Sequence, residues 1–92
     1  MTDEHAISYQ ALRRGVLVLS SDGVELGRVH QVLDNVREHI FDGIVIRTPD
    51  GLRFVDAPEV ARITTHRVTL TIDAAAAKSL PEHRSGWRRW LR

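Results

Sequence analysis

Five histidines, His5, His30, His39, His66 and His83, are the side chains in this sequence best suited to metal binding or proton transfer. Either chemistry needs two or more groups brought to one point. HxH, HxxxH and HExxH spacings achieve this locally, and none of them occurs. His30 and His39 would meet if the strands around them pair as a tight hairpin. Asp34 or Glu38 would then add a carboxylate. Separate polar surface histidines account for the same residues, so no metal ligand is assigned. Asp22 and Asp50 precede glycine and Asp34 precedes Asn35, positions where an Asp side chain bonds its own downstream backbone and makes a turn. Asp42 falls inside an expected strand, where a polar face or a kink at Gly43 would accommodate it. Ser20, Ser21, Ser79 and Ser85 lack a nucleophile-elbow context. No glycine-rich phosphate loop is present. No cysteine is present either, which excludes a disulfide scaffold, a Cys-ligated metal and a Cys nucleophile. No catalytic residue and no cofactor are assigned, and a non-enzymatic role is expected.

The C-terminal tail carries a different chemistry. If residues 87–91 are helical, Trp87, Trp90 and Leu91 share one side, with Arg88, Arg89 and Arg92 on the others. The two Trp can pack back on the body of the protein or on a second subunit. Trp and Arg are also the residues enriched in interface hot spots. Arginines beside aromatics further suit an anionic membrane surface or the stacked bases and phosphates of RNA. Trp87, Arg88, Arg89, Trp90 and Arg92 are therefore the candidate partner-binding residues. A protein partner or a second copy of the chain is expected. RNA, the ribosome or an anionic membrane surface are the alternatives.

Charge separates these regions. The 92 residues carry a formal charge of +1, and 12 of the 13 basic residues are Arg. Residues 1–81 sum to −2 and residues 82–92 to +3, so near-neutrality hides an acidic body and a basic tail. The longest purely apolar run, Val16 to Leu19, is far short of the roughly 20 residues that span a membrane. Met1 to His5 is acidic and has no apolar core, so no signal peptide is expected. One small cytoplasmic domain is the expectation.

The elements that position these residues read as β. Val16–Leu19 reads as a buried strand, followed by a turn at Asp22-Gly23. Val24–Leu33 is a second strand whose apolar phase switches at Gly27, which predicts a β-bulge there. Ile40–Arg47 is the third strand. Thr48-Pro49-Asp50-Gly51 is a clear turn before a fourth strand, Leu52–Val55. Asp56 and Glu59 suggest a capping box on a one-turn helix. Ala61–Ile63 and Arg67–Ile72 complete the strands, the last alternating Val68, Leu70 and Ile72 with polar residues. Asp73 caps a helix expected over Ala74–Leu80, which docks through Leu80. Five or six short strands in so short a chain predict a small all-β barrel with a short C-terminal helix and tail.

Gly15-Val16-Leu17-Val18, Asp22-Gly23-Val24-Glu25-Leu26-Gly27-Arg28-Val29, Asp42-Gly43-Ile44-Val45-Ile46 and Asp50-Gly51-Leu52-Arg53-Phe54-Val55 come in succession, ahead of Asp56-Ala57-Pro58-Glu59-Val60 and Arg67-Val68-Thr69-Leu70. Together they resemble the PRC-barrel domain. That domain occurs in the photosynthetic reaction centre H subunit, in the bacterial ribosome maturation factor and as small stand-alone bacterial proteins. The resemblance covers residues 12–72. Residues 1–11 form an N-terminal extension, 73–81 the short helix and 82–92 the basic tail. The resemblance implies a fold and an adaptor role without a catalytic set. Asp22, Gly23, Gly27, Asp50 and Gly51 are its structural turn and bulge residues. The expected function is an interaction module that binds a protein partner or a second copy of itself through its Trp tail; a ribosome- or RNA-associated factor and a peripheral membrane protein are the alternatives.

Overall fold

Residues 6–35 and 37–83 are described by the computed structural model of the chain. Six strands form one sheet: β1 (Leu17–Leu19), β2 (Glu25–Asn35), β3 (Ile40–Thr48), β4 (Gly51–Asp56), β5 (Val60–Ile63) and β6 (Arg67–Leu70). Their spatial order is β4-β3-β2-β1-β6-β5. All neighbours are antiparallel except β1 and β6, the fourth and fifth strands in this order, which run parallel. The two edge strands, β4 and β5, are consecutive in the chain and joined by one 3₁₀ turn, Ala57–Glu59. The backbone ladder does not close between them, so the sheet is open where a barrel was expected.

Flanking segments occupy part of each edge. Phe54 N–H donates to Pro81 O at 2.8 Å and His83 N–H to Leu52 O at 3.0 Å, along β4. Ile7 N–H donates to Ile63 O at 2.9 Å, along β5. Such cover reduces the edge-to-edge pairing that exposed strands invite. The described part of the N-terminal extension, from residue 6 onward, is therefore docked. Leu12 is buried, and Tyr9 stacks on Phe41 with ring centroids 4.7 Å apart.

The main core cluster lies on one face, while Val45, also fully buried, falls on the other. Val18, Val29, Ile44, Ile46, Val55, Val68 and Leu70 are buried from five strands, and Leu12 and Leu80 add to them from outside the sheet. Register explains the grouping, because Val29 pairs with Ile46, Ile44 with Val55 and Val18 with Val68. Cross-strand partners share a face, so the period-2 pattern of each strand builds one apolar layer.

Two glycines let backbones approach where a side chain would collide. A Cβ on Gly27 would stand 2.0 Å from the Arg47 carbonyl oxygen. The β1–β2 register skips Leu26, immediately before Gly27. Gly43 takes φ +149°, and its Cβ would meet the Val55 carbonyl at 2.2 Å. The β2–β3 register shifts beside it, from Leu33 opposite Gly43 to Asp34 opposite Phe41, which supplies the expected kink.

The turns carry their expected residues with some changes of role. Gly23 and Gly51 adopt positive φ. Thr48 organises its turn, its hydroxyl accepting from Asp50 N–H at 3.1 Å and donating to Gly51 O at 2.9 Å. Asp22 reaches beyond its own turn. Its carboxylate accepts from the Ser20 hydroxyl and, at 3.0 Å, from Ala74 N–H at the start of the helix. The Asp56–Glu59 capping box forms, and Asp73 Oδ1 accepts from Ala76 N–H at 2.8 Å. The helix α1 is one turn, Ala74–Ala77, shorter than expected. Leu80 nevertheless docks in the core.

Candidate functional site

The face opposite the core is built by the same alternation. In β2, buried Val29 is flanked by Arg28 and His30. In β3, buried Ile46 is followed by exposed Arg47. Arg28 and Arg47 are direct partners in the ladder. Like charges directly opposite each other in a sheet cost about 0.2–1 kcal/mol relative to neutral pairs. A second backbone element adds a third arginine. Gly15 N–H donates to Val29 O at 2.7 Å, and Val29 N–H to Val16 O at 2.8 Å. Arg28 Nη1 also donates to Gly15 O at 3.0 Å. These bonds hold the turn that carries Arg14 beside the middle of β2.

His30 sits at the meeting point. Its Nδ1 accepts from Arg14 Nη2 and from Arg47 Nη2, each at 3.3 Å. A guanidinium only donates, so Nδ1 must be unprotonated for both contacts to form. Partial burial pushes the His30 pKa below the ordinary histidine value, and the positive charges of Arg14, Arg47 and His83 push it further. Every charged neighbour that acts on this ring is cationic. His83 arrives from the chain beyond α1, held by its backbone bond to Leu52, the ladder partner of Arg47. A shallow groove of about 420 Å³ lies alongside, lined by Arg28, Arg47, Glu25, Leu26, Thr48 and Pro49.

Family models, curated proteins and solved structures give no match to this chain. The chemistry of the site therefore rests on its geometry. Two guanidiniums, one imidazole and a neighbouring arginine make a face with donors converging from three segments. Each guanidinium has five N–H donors, and at most a small share is used by His30. Such a face can grip carboxylates or phosphate-type oxyanions bidentately.

His30 and His39 do not meet. Asn35 pairs with Ile40 at the hairpin end, whereas His30 lies where Val29 pairs with Ile46 and Gln31 with Val45, far along the ladder. His39 occupies the turn with φ +57°, and Asn35 Oδ1 caps that turn by accepting from Glu38 N–H at 3.1 Å. Among the described residues, no three His, Asp or Glu side chains converge as metal ligands. Trp87, Arg88, Arg89, Trp90 and Arg92 lie outside the described residues. The sequence reading did not single out Arg14, Arg28 or Arg47. Their signal was the polar phase of strands β2 and β3, which needed the β2–β3 register before it could assemble into a surface. Among the described residues no helix is long and apolar enough to cross a membrane.

Proposed function

We propose that this chain is a non-enzymatic interaction module, in which a PRC-barrel-like β platform offers a basic outer face to a protein partner with an acidic surface. One observation carries the reading. Two arginines converge on His30, and His83, the last described residue and the second of the basic tail, adds its charge to the same ring. The +3 tail thus starts beside the basic part of a body whose total is negative. A surface that concentrates one sign of charge against the sign of the rest of the body favours oriented capture of an opposite charge. The platform is a six-stranded sheet whose edge strands, β4 and β5, are joined in the chain by one 3₁₀ turn and are not paired with each other.

Capture of partners from a lysate of the source organism tests the proposal, with bound material treated by nuclease and by detergent. The full chain should retain a protein partner through both treatments. Trp87→Ala/Trp90→Ala and Arg14→Glu/Arg47→Glu should each lose it while leaving the thermal melt nearly unchanged. Retention by both variants would overturn the reading. Loss on nuclease treatment would instead favour RNA, to which the Arg28–Arg47 pair is suited through phosphate contacts. Loss on detergent treatment would favour an anionic membrane surface.

A further inference from the structure

We infer that Arg14, His30 and Arg47 form a specific binding site for a phosphate-type oxyanion on the outer face of β2 and β3. The inference rests on the reading of this face as the contact surface and names the chemistry it takes. Three observations lead to it. Both guanidinium contacts end on one atom, His30 Nδ1, so the two Nη2 groups lie within twice 3.3 Å of each other. That spacing lets one tetrahedral anion accept from both. In the free site the shared acceptor of both guanidiniums is one neutral ring nitrogen, 3.3 Å from each. A charged oxyanion accepts shorter and stronger bonds than a neutral ring nitrogen. Finally, Arg28 stands opposite Arg47 in the ladder. Sheet neighbours of like charge repel, and an anion between them removes that repulsion.

The positions are set by backbone. Arg14 is fixed by the Gly15 and Val16 bonds to Val29, Arg47 by its place in β3, and His30 by the β2 register shift between Val29 and Gln31. The bulge turns the His30 ring toward the two arginines. The groups that face this ring are Arg14 from the turn before β1, Arg47 from β3 and His83 from the segment on the β4 edge. Glu25 lines the adjoining groove next to Arg28, at the end away from His30 in sequence. In the free site, the ring must stay neutral to accept from both arginines. With an anion bound, the ring is free to take a proton and become a third donor. Binding and protonation of His30 therefore support each other.

The test is an NMR titration of the full-length chain, following backbone amides and the imidazole carbons. The probes are inorganic phosphate, sulfate, glycerol phosphate and dimethyl phosphate, each against sodium chloride at equal ionic strength. Phosphate and sulfate should give saturable shifts centred on Arg14, His30 and Arg47, and should raise the apparent pKa of His30. Arg14→Gln and Arg47→Gln should each weaken binding about tenfold, the scale of losing a hydrogen bond to a charged group. Arg62→Gln, an exposed arginine on β5, should leave it unchanged. Both Arg14 and Arg47 are exposed, so these variants should fold as the parent does, and the melt checks that. Equal response to glycerol phosphate and dimethyl phosphate assigns the site to a bridging phosphodiester. Response to the monoester alone assigns it to a terminal phosphate. Shifts that grow linearly, match those in sodium chloride, or persist unchanged in both Arg variants would overturn the inference. Partner capture with no small-anion binding would refute this site and leave the interaction module standing. Anion binding with no captured partner would do the reverse.

Discussion

The two faces of the β2–β3 pair share a backbone and a register yet do opposite work. Val29 and Ile46 face one another on the inner side and are almost fully buried. Arg28 and Arg47 face one another one residue away on the outer side and are exposed. The inner pair gains by leaving water. The outer pair repels across the ladder, and Arg28 also donates to Gly15 O in the turn before β1. Alternation thus sets the main apolar layer on one side and the arginines on the other, where β3 also buries Val45 fully, and changes to the two pairs should have separable effects.

The largest expected effect is on the inner face. Ile44 is fully buried among residues from several strands. Ile44→Ala should cost about 2–5 kcal/mol, the range for truncating a buried aliphatic side chain. In a domain whose whole stability is about 5–15 kcal/mol, that is a large fraction. A shift of the urea midpoint to much lower concentration checks it, with m unchanged if unfolding stays two-state. An unchanged midpoint would mean that the inner layer is not the core.

Gly27→Ala should come next, and it tests the boundary between the faces. The new methyl would press on the Arg47 carbonyl, which is backbone and cannot swing aside. Overpacking of this kind costs about 1–3 kcal/mol. Because the displaced strand carries Arg47, the amide and side-chain signals of Arg47 and His30 should move as well. Loss of stability with unmoved signals at His30 would separate the two faces more completely than the structure does.

Arg47→Gln should have a smaller effect and one of opposite sign. It removes a like-charge pair with Arg28, so stability should hold or rise by about 0.2–1 kcal/mol. Binding at the outer face should fall at the same time. A drop in stability comparable to that of Gly27→Ala would mean that Arg47 supports the fold.

The inner face was far more legible in the sequence than the outer one. Alternation of Val68 and Leu70 with polar residues, and the run Ile44-Val45-Ile46, placed the strands to within one or two residues. Burial depends on each residue's own chemistry, so it shows in a single strand. The turns were legible for the same local reason, since Gly23 and Gly51 are needed for their own φ angles. The Arg14–His30–Arg47 cluster depends on register, which is a property of pairs. A plain hairpin would bring His30 and His39 together, but His39 lies in the turn itself, just before Ile40. The β2 strand instead runs on to Asn35, and two register shifts set His30 opposite the middle of β3. The open edge between β4 and β5 was equally hidden, since no local signal tells whether two edge strands meet.

The smallest expected effect is the dependence of stability on pH through His30. Partial burial first, then Arg14, Arg47 and His83, hold its pKa below the ordinary value. The unfolded chain therefore takes up a proton first as pH falls through about 6.5, the ordinary histidine value. Between that point and the lower folded value the unfolded state binds more protons, so stability falls with falling pH. Below the folded value both states are protonated and the slope from this group ends. Asp22 acts in a separate, more acidic window. The Ser20 hydroxyl and the Ala74 amide hold its pKa down against desolvation, so its contribution is lost only as pH falls below the usual carboxylate range. Urea midpoints at pH 7.5 and 5.5 isolate the His30 part, because His30→Gln should flatten the difference relative to the parent chain. Saturating sulfate should flatten it too, since an anion between the guanidiniums removes much of the repulsion that keeps the ring neutral. Equal slopes in parent and His30→Gln would mean that the outer cluster does not govern the ring, and that its cationic neighbours are too well screened by solvent to act as a site.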